Sequence, residues 1–206
     1  MSHVKLLFPD KREFDLNAGA GETASFLQSE LAPHFIVNAL IRLPVMIQRN
    51  PENAVAFTKS LTSVYRDILE AGNKDLVPLA KELELLNNYI NLVKIDFKRS
   101  INIQCDSRPY RNFFIVPVSL QILMENAVKH NNFSCEYPLN IKIYRDEKFI
   151  WFNNPIRRKK YPAFSGKRGL PNLDARCRII TGHPIQIKES ATDFTVRLPL
   201  IYMPDA

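Results

Sequence analysis

Residues 119–131 read SLQILMENAVKHN, and the fold turns on whether this stretch is packing surface, chemistry or both. Projected at 100° per residue, Leu120, Leu123, Met124, Ala127 and Val128 gather on one side of a helix, predicted over Val118 to Lys129. Glu125, Asn126 and Lys129 gather on the other, with His130 at their flank. A carboxylate can take a proton, an amide oxygen can ligate Mg²⁺ and an ammonium can offset phosphate charge, so the polar trio suits a nucleotide. The same pattern also describes an ordinary amphipathic helix in which Glu125 and Lys129 form an i,i+4 pair. Taken alone, the stretch leaves both readings open.

On its N-terminal side the chain is helical. From about Glu22 to Gln48 the residues Phe26, Leu27, Leu31, Phe35, Leu40, Leu43 and Ile47 recur at helical spacing, and between Ile36 and Ile47 apolar residues occur on nearly every side. RNPEN, residues 49–53, reads as a turn in which Asn50 caps and Pro51 takes the first helical position. Phe57, Leu61, Val64, Tyr65 and Ile68 mark one face of a second helix, so the pair is predicted to form a hairpin. A third helix is predicted from about Leu79 to Lys94, with Leu79, Leu83, Leu86, Ile90 and Val93 on its apolar stripe.

On its C-terminal side the pattern becomes short apolar runs. INIQC, FFIV, LNIKIY, KFIWF, PIQIK and DFTVRL read as strands, and a further helix is predicted over about Leu170 to Ile180. The second half is therefore an α+β layer structure. Between the last helix and the strand before it lies the basic segment IRRKKYPAFSGKRG, residues 156–169, which suits either a solvated loop or a lid over an anion.

Two further stretches carry candidate chemistry. LAPHFIVN, residues 31–38, sets Pro33 and His34 among apolar residues. A proline inside a helix costs ~3 kcal/mol, so Pro33 needs a reason, and a kink beside His34 is the expected one. His34 shares a stripe with Leu27, Leu31, Asn38 and Ile41, where a histidine is ordinarily a core residue. A neutral imidazole nitrogen is nevertheless a competent nucleophile toward phosphorus near pH 7. SGKRGLPN, residues 165–172, sets two glycines before the last helix, where free N–H groups and a partial positive charge favour phosphate, and Lys167 and Arg168 add charge.

Composition bounds the rest. The 206 residues are 46% apolar and 24% charged, which suits a globular chain. The 28 Lys and Arg against 21 Asp and Glu leave +7, a charge that fits an anionic ligand or an acidic partner. Cys105, Cys135 and Cys177 stand at wide spacings with no CxxC pair, so neither a zinc site nor a disulfide framework is expected and a reduced cytoplasmic compartment is. No run of about 18 apolar residues suggests a membrane span, and the first residues lack the apolar core of a signal peptide. A basic nucleic-acid-binding protein is disfavoured, because no aromatics interleave with RRKK.

In this order the pieces resemble the LytS-type sensor histidine kinases, over roughly residues 25–200. Pro33, His34, Phe35 and Asn38 match the PHFLFN-like motif whose histidine is the phosphoacceptor, and LAKELELLNNYI resembles the linker with paired acids and a Tyr. SLQILMENAVKHN looks like the N-box. The resemblance implies that Asn126 coordinates Mg²⁺, that Lys129 and His130 lie near the phosphates of ATP, and that Glu125 accepts the proton. GLPN, with Gly169, Leu170 and Asn172, matches the end of the glycine-rich lid, to which Lys167 also belongs. The family's Asp-x-Gly motif, whose aspartate recognises adenine, has no counterpart; its place falls near Asn153 and Asn154 in WFNNPI. One lid glycine is also missing, Ile41 stands where a second asparagine is usual, and Asp96 replaces an arginine.

The resemblance implies an N-terminal segment over 1–21 free to be flexible, a helical dimerisation and phosphoacceptor region over 22–97, and a catalytic α/β sandwich of the histidine kinase/GHKL type over 98–206. The implied function is autophosphorylation of His34 from ATP with Mg²⁺, then transfer to the receiver domain of a response regulator. The implied assembly is a cytoplasmic homodimer whose full-length relatives are membrane-attached. The missing aspartate and glycine leave an alternative, a dimeric signalling module of the same fold without turnover.

Overall fold

The computed structural model describes residues 5–7, 13–15, 32–72, 74–97, 100–106, 110–159 and 169–204. Lys167, Arg168 and the rest of the basic loop over 160–168 lie outside the described residues, as do 16–31, and so does the His34 side chain. In chain order the elements are β1 (Lys5–Leu7), β2 (Glu13–Asp15), α1 (Ala32–Arg49), α2 (Pro51–Gly72), β3 (Val77–Pro78), α3 (Leu79–Phe97), β4 (Ile101–Cys105) and β5 (Phe113–Ile115). They continue as α4 (Ser119–His130), β6 (Leu139–Arg145), β7 (Phe149–Pro155), α5 (Gly169–Thr181), β8 (Gln186–Glu189), β9 (Asp193–Pro199) and β10 (Ile201–Tyr202).

The joint between α1 and α2 is made by local chemistry. Asn50 Oδ1 accepts the Asn53 N–H at 3.0 Å, and Pro51 opens α2. Such a cap satisfies one orphan donor and is worth ~1 kcal/mol. α2 then buries Ala54, Phe57, Leu61, Val64 and Ile68 at i, i+3, i+4 spacing, whereas Tyr65, on the predicted face, is only half-buried. Pro33 is the second described residue of α1, and the residues before Ala32, on which a kink there would depend, lie outside the described ones. The proline that the helix interior accommodates is Pro44, exposed on the outer side.

α3 belongs to two cores at once. Leu92 closes a small cluster with Ala39 of α1 and with Phe57 and Leu61 of α2. Leu79, Leu86, Ile90 and Val93 join the large core, which begins with Val64 and Ile68 of α2 and runs on beneath the sheet.

That sheet has the order β4-β6-β7-β9-β8, with β4 and β6 parallel and the other pairs antiparallel. Period-2 alternation turns Leu139, Ile141 and Ile143 of β6, Ile150 and Phe152 of β7, and Val196 and Leu198 of β9 to one face. Leu120, Leu123, Met124 and Ala127 of α4 and Leu173, Cys177 and Ile180 of α5 belong to the same core. The result is a two-layer sandwich. On the other face of the sheet, Tyr144 stacks on Trp151 with ring centroids 5.3 Å apart, and the Arg197 guanidinium lies 3.5 Å from the Phe149 ring centre.

All six predicted strands are present, and the helices around Val118 to Lys129 and Leu170 to Ile180 agree with α4 and α5. FFIV differs in its pairing: β5 lies in a separate three-stranded sheet, order β10-β5-β3. β3 and β10 are two residues each, too short to show any periodicity in sequence. The β1–β2 hairpin is short for the same reason.

Candidate functional site

Asn126 and His130 of α4 face a cavity of about 400 Å³, walled by α4, the end of β7, the segment that follows it, the start of α5 and the facing ends of β8 and β9, while Glu125 is not among its lining residues. Asn126, His130, Asn154 and Leu170 all line it, four of the residues singled out by sequence. They come from three separate elements. Asn154 is buried because it continues the inward alternation of Ile150 and Phe152, and Phe194, its registered partner on β9, lines the same cavity.

Asn153 follows the opposite alternation. Its Nδ2 donates to Thr195 Oγ1 at 2.8 Å on the sheet's other face, so the structure does not bring it to the cavity. Gly169 starts α5, where an added Cβ would meet Ile122 Cγ2 at 3.5 Å, ordinary van der Waals contact. Packing within the chain thus leaves room for a methyl group at position 169. Asn172 lies one turn along α5 and Lys129 on the side of α4, and neither is among the lining residues.

The lining is polar where a ligand's charge would fall. The Asn126 Nδ2 is buried at the cavity wall without a hydrogen-bond partner among the described residues. A buried amide donor left in that state is costly unless something supplies an acceptor. Asn154, which also lines the cavity, donates its Nδ2 to the Pro155 carbonyl at 2.8 Å.

Cations crowd the other wall. Burial lowers the His130 pKa, and Lys129, Lys159 and Arg158 lower it further, each by disfavouring a second positive charge nearby. Burial also lowers the Lys129 pKa, against the attraction of Glu125. The Glu125 carboxyl is pushed up to about 7 by burial, against the Gln121 amide, which donates to Oε1 at 2.9 Å, and the Lys129 charge. A carboxyl in that range is matched to proton transfer near neutral pH.

Asn131, which ends the α4 motif, and Arg158 and Lys159 of the basic segment also line the cavity. Asn131 pairs with Arg158 in an antiparallel bridge; its Oδ1 accepts the Arg157 N–H at 2.6 Å and its Nδ2 donates to the Ala127 carbonyl at 3.0 Å. Lys159 Nζ donates to the Val128 carbonyl at 2.9 Å, and Arg158 pairs with Glu189. The start of the basic segment is therefore stitched onto the C-terminal end of α4 and serves as cavity wall. The KHN that ends the α4 motif and the IRRK that follows β7 were both visible in sequence, but their pairing was not.

The sequence profile of the histidine kinase family matches residues 23–101. The chain is also similar to LytS-type sensor kinases. It is 34% identical over 106 residues to the sensor protein LytS of Bacillus subtilis and 31% identical over 106 residues to the sensor histidine kinase/phosphatase LytS of Staphylococcus aureus. A third relative, the sensor protein LytS of Staphylococcus saprophyticus, is 30% identical over 105 residues. Each match covers 50% of this chain and 18% of the relative. Among the described residues no helix is long and apolar enough to cross a membrane.

Proposed function

We propose that the chain is the kinase portion of a sensor histidine kinase, with a helical phosphoacceptor region over 22–97 and a GHKL-type nucleotide-binding sandwich over 98–206, preceded by a short segment over 1–21. In this reading ATP phosphorylates His34, and the phosphoryl group passes to a response regulator. The observation that carries it is the convergence of Asn126, His130 and Asn154 on one cavity whose wall also holds Arg158 and Lys159.

The residues present fit ATP with Mg²⁺. Asn126 offers an amide whose Nδ2 lacks an acceptor among the described residues, which suits a phosphate oxygen, and whose oxygen is a hard ligand for Mg²⁺. No group of three His, Cys, Asp or Glu among the described residues forms a cage of its own, the usual situation for an ion shared between one side chain, water and phosphates. Bound there, Mg²⁺ would neutralise phosphate charge. Lys129, His130 and the lid residues Lys167, Gly169, Leu170 and Asn172 take the phosphate side of the site, and Glu125 receives the proton released by His34. The protein's share of such a transfer is positioning and electrostatics.

The adenine end falls to Asn154, because the amide of Asn153 is engaged with Thr195. A neutral amide oxygen accepts a weaker hydrogen bond than a carboxylate does. Asn154→Asp is therefore expected to tighten nucleotide binding by about tenfold, the ratio expected when a neutral acceptor becomes charge-assisted. Titration of wild type and variant with a fluorescent ATP analogue in Mg²⁺ tests this. Binding by neither protein would favour the alternative reading, a dimeric signalling module without turnover.

The outer side of α1 supports the homodimer. Leu40, Ile41, Val45 and Ile47 are large apolar residues left exposed on it, Ile41 at 68%. A strip of that kind on one helix marks an interaction surface. By the same reading the stretch is cytoplasmic, as the kinase regions of membrane-attached sensors are.

A further inference from the structure

The site helix begins in an unfavourable way. Val118, the residue before its first turn, is fully buried and adopts φ 64° and ψ 9°, left-handed backbone that a β-branched side chain rarely tolerates. It offers no side-chain cap of its own. The missing cap comes from another helix. Glu82 of α3 is 1% exposed; its Oε2 accepts the Val118 N–H at 3.0 Å and its Oε1 the Leu120 N–H at 2.9 Å. One carboxylate thus satisfies two orphan donors and sets negative charge at the positive end of α4.

We propose that Glu82 is the positioning residue of the nucleotide cavity, a clasp through which α3, and with it the α1–α2 hairpin, sets the placement of the helix that bears Asn126 and His130. The proposal rests on the nucleotide reading above for what the cavity holds, but not for the clasp itself. Asn126 lies eight residues beyond Val118 on the same helix, about 12 Å at the standard rise, so a shift of the first turn is carried to it by a rigid element. α3 joins both hydrophobic cores, as does α2, and of the two it is α3 that carries Glu82, which makes it the natural carrier of such a shift.

The clasp is also sensitive to charge. Among the described residues Arg176 of α5 is the charged group that faces Glu82; it is 4% exposed, and its Nε and both Nη atoms have no hydrogen-bond partner there. Cys177 of α5 and Asp75, which precedes β3, act in turn on Arg176. Burial pushes the Glu82 carboxyl up to about 7, against the backbone N–H groups of Leu120, Val118 and Gln121 and the charge of Arg176. Below that pH one oxygen carries a proton and is a poorer acceptor, so the grip on the first turn weakens as pH falls.

The test follows the Val118 and Leu120 amide resonances of the full chain by NMR from pH 5 to 9. Both are expected to move with one midpoint near 7, and to be silent in Glu82→Gln. Arg176→Met, which replaces the buried cation facing Glu82 by an apolar side chain of similar length, is expected to raise the midpoint. It remains informative if the Glu82 variant does not fold. Glu82→Gln is further expected to speed amide exchange across residues 122–130 at least about tenfold, and to weaken binding of the fluorescent ATP analogue at least about fivefold, the lower end of ordinary coupling between sites. Amides that titrate in the ordinary carboxylate range, or unchanged exchange in Glu82→Gln, would overturn the proposal. Absence of nucleotide binding in wild type would sink the nucleotide reading, while the exchange data would still decide the clasp.

Discussion

Incubated with Mg²⁺ and ATP labelled at the γ-phosphate, the chain is expected to acquire label that acid releases and alkali does not, and His34→Gln to acquire none. The distinction lies in the bond: a phosphoryl group on an imidazole nitrogen hydrolyses readily once the ring protonates, whereas phosphate esters of Ser and Thr survive acid. Asn126→Ala removes the amide whose Nδ2, at the cavity wall, is left without a partner among the described residues. Loss of one such donor or ligand at a phosphoryl site commonly costs ~10²–10³ in rate, so label in this variant is expected to accumulate at least about a hundredfold more slowly. His34→Gln leaves the cavity intact and should bind nucleotide as wild type does, whereas Asn126→Ala should not. Acid-labile label persisting in His34→Gln would place the acceptor elsewhere.

Phe152→Ala is expected to have the largest effect on stability. Phe152 sits at the middle of β7, itself a central strand of the sheet, and is among the largest fully buried side chains at 1% exposed. Deleting such a ring loses its transfer free energy and leaves a cavity that neighbours fill only in part, together ~3–5 kcal/mol. With a urea slope of ~1–3 kcal/mol per molar, the unfolding midpoint should fall by more than about 1 M. Tyr144→Ala provides the control, since Tyr144 lies on the open face of the same sheet and is 41% exposed. Its loss forfeits the stacking on Trp151, worth ~0.5–1.5 kcal/mol, and some buried area. Equal midpoint shifts for the two variants would mean that the inner face is not the core.

How much of this was legible in sequence differs from element to element. The helices of the first half were readable because their apolar residues recur over four or more turns, and RNPEN because a cap and a proline act within three residues. The α4 motif was readable for the same reason: both its packing face and its polar face follow from one period. Strands β6 and β7 could be placed by alternation, and alternation even fixes that Asn153 and Asn154 point opposite ways. Which of the two faces the cavity could not be read, because that depends on which side of the sheet the helices cover. The pairing of Asn131 with Arg158, 27 positions on, was invisible for a related reason, since no local period links a helix end to a loop.

Glu82 shows the limit most plainly. In LAKELELLNNYI it reads as one of two acids on an amphipathic helix, and nothing in its neighbours marks it as buried. Its partners are backbone N–H groups 36 and 38 residues away, and a backbone donor carries no residue identity that a sequence could display. The chain's own letters therefore determined the elements, the likeness to the LytS-type kinases and the side chains available for chemistry, because periodicity and motif spacing are local. Tertiary structure alone decided which of those side chains share a cavity and what holds the helix that carries them, because both depend on contacts between elements remote in the chain.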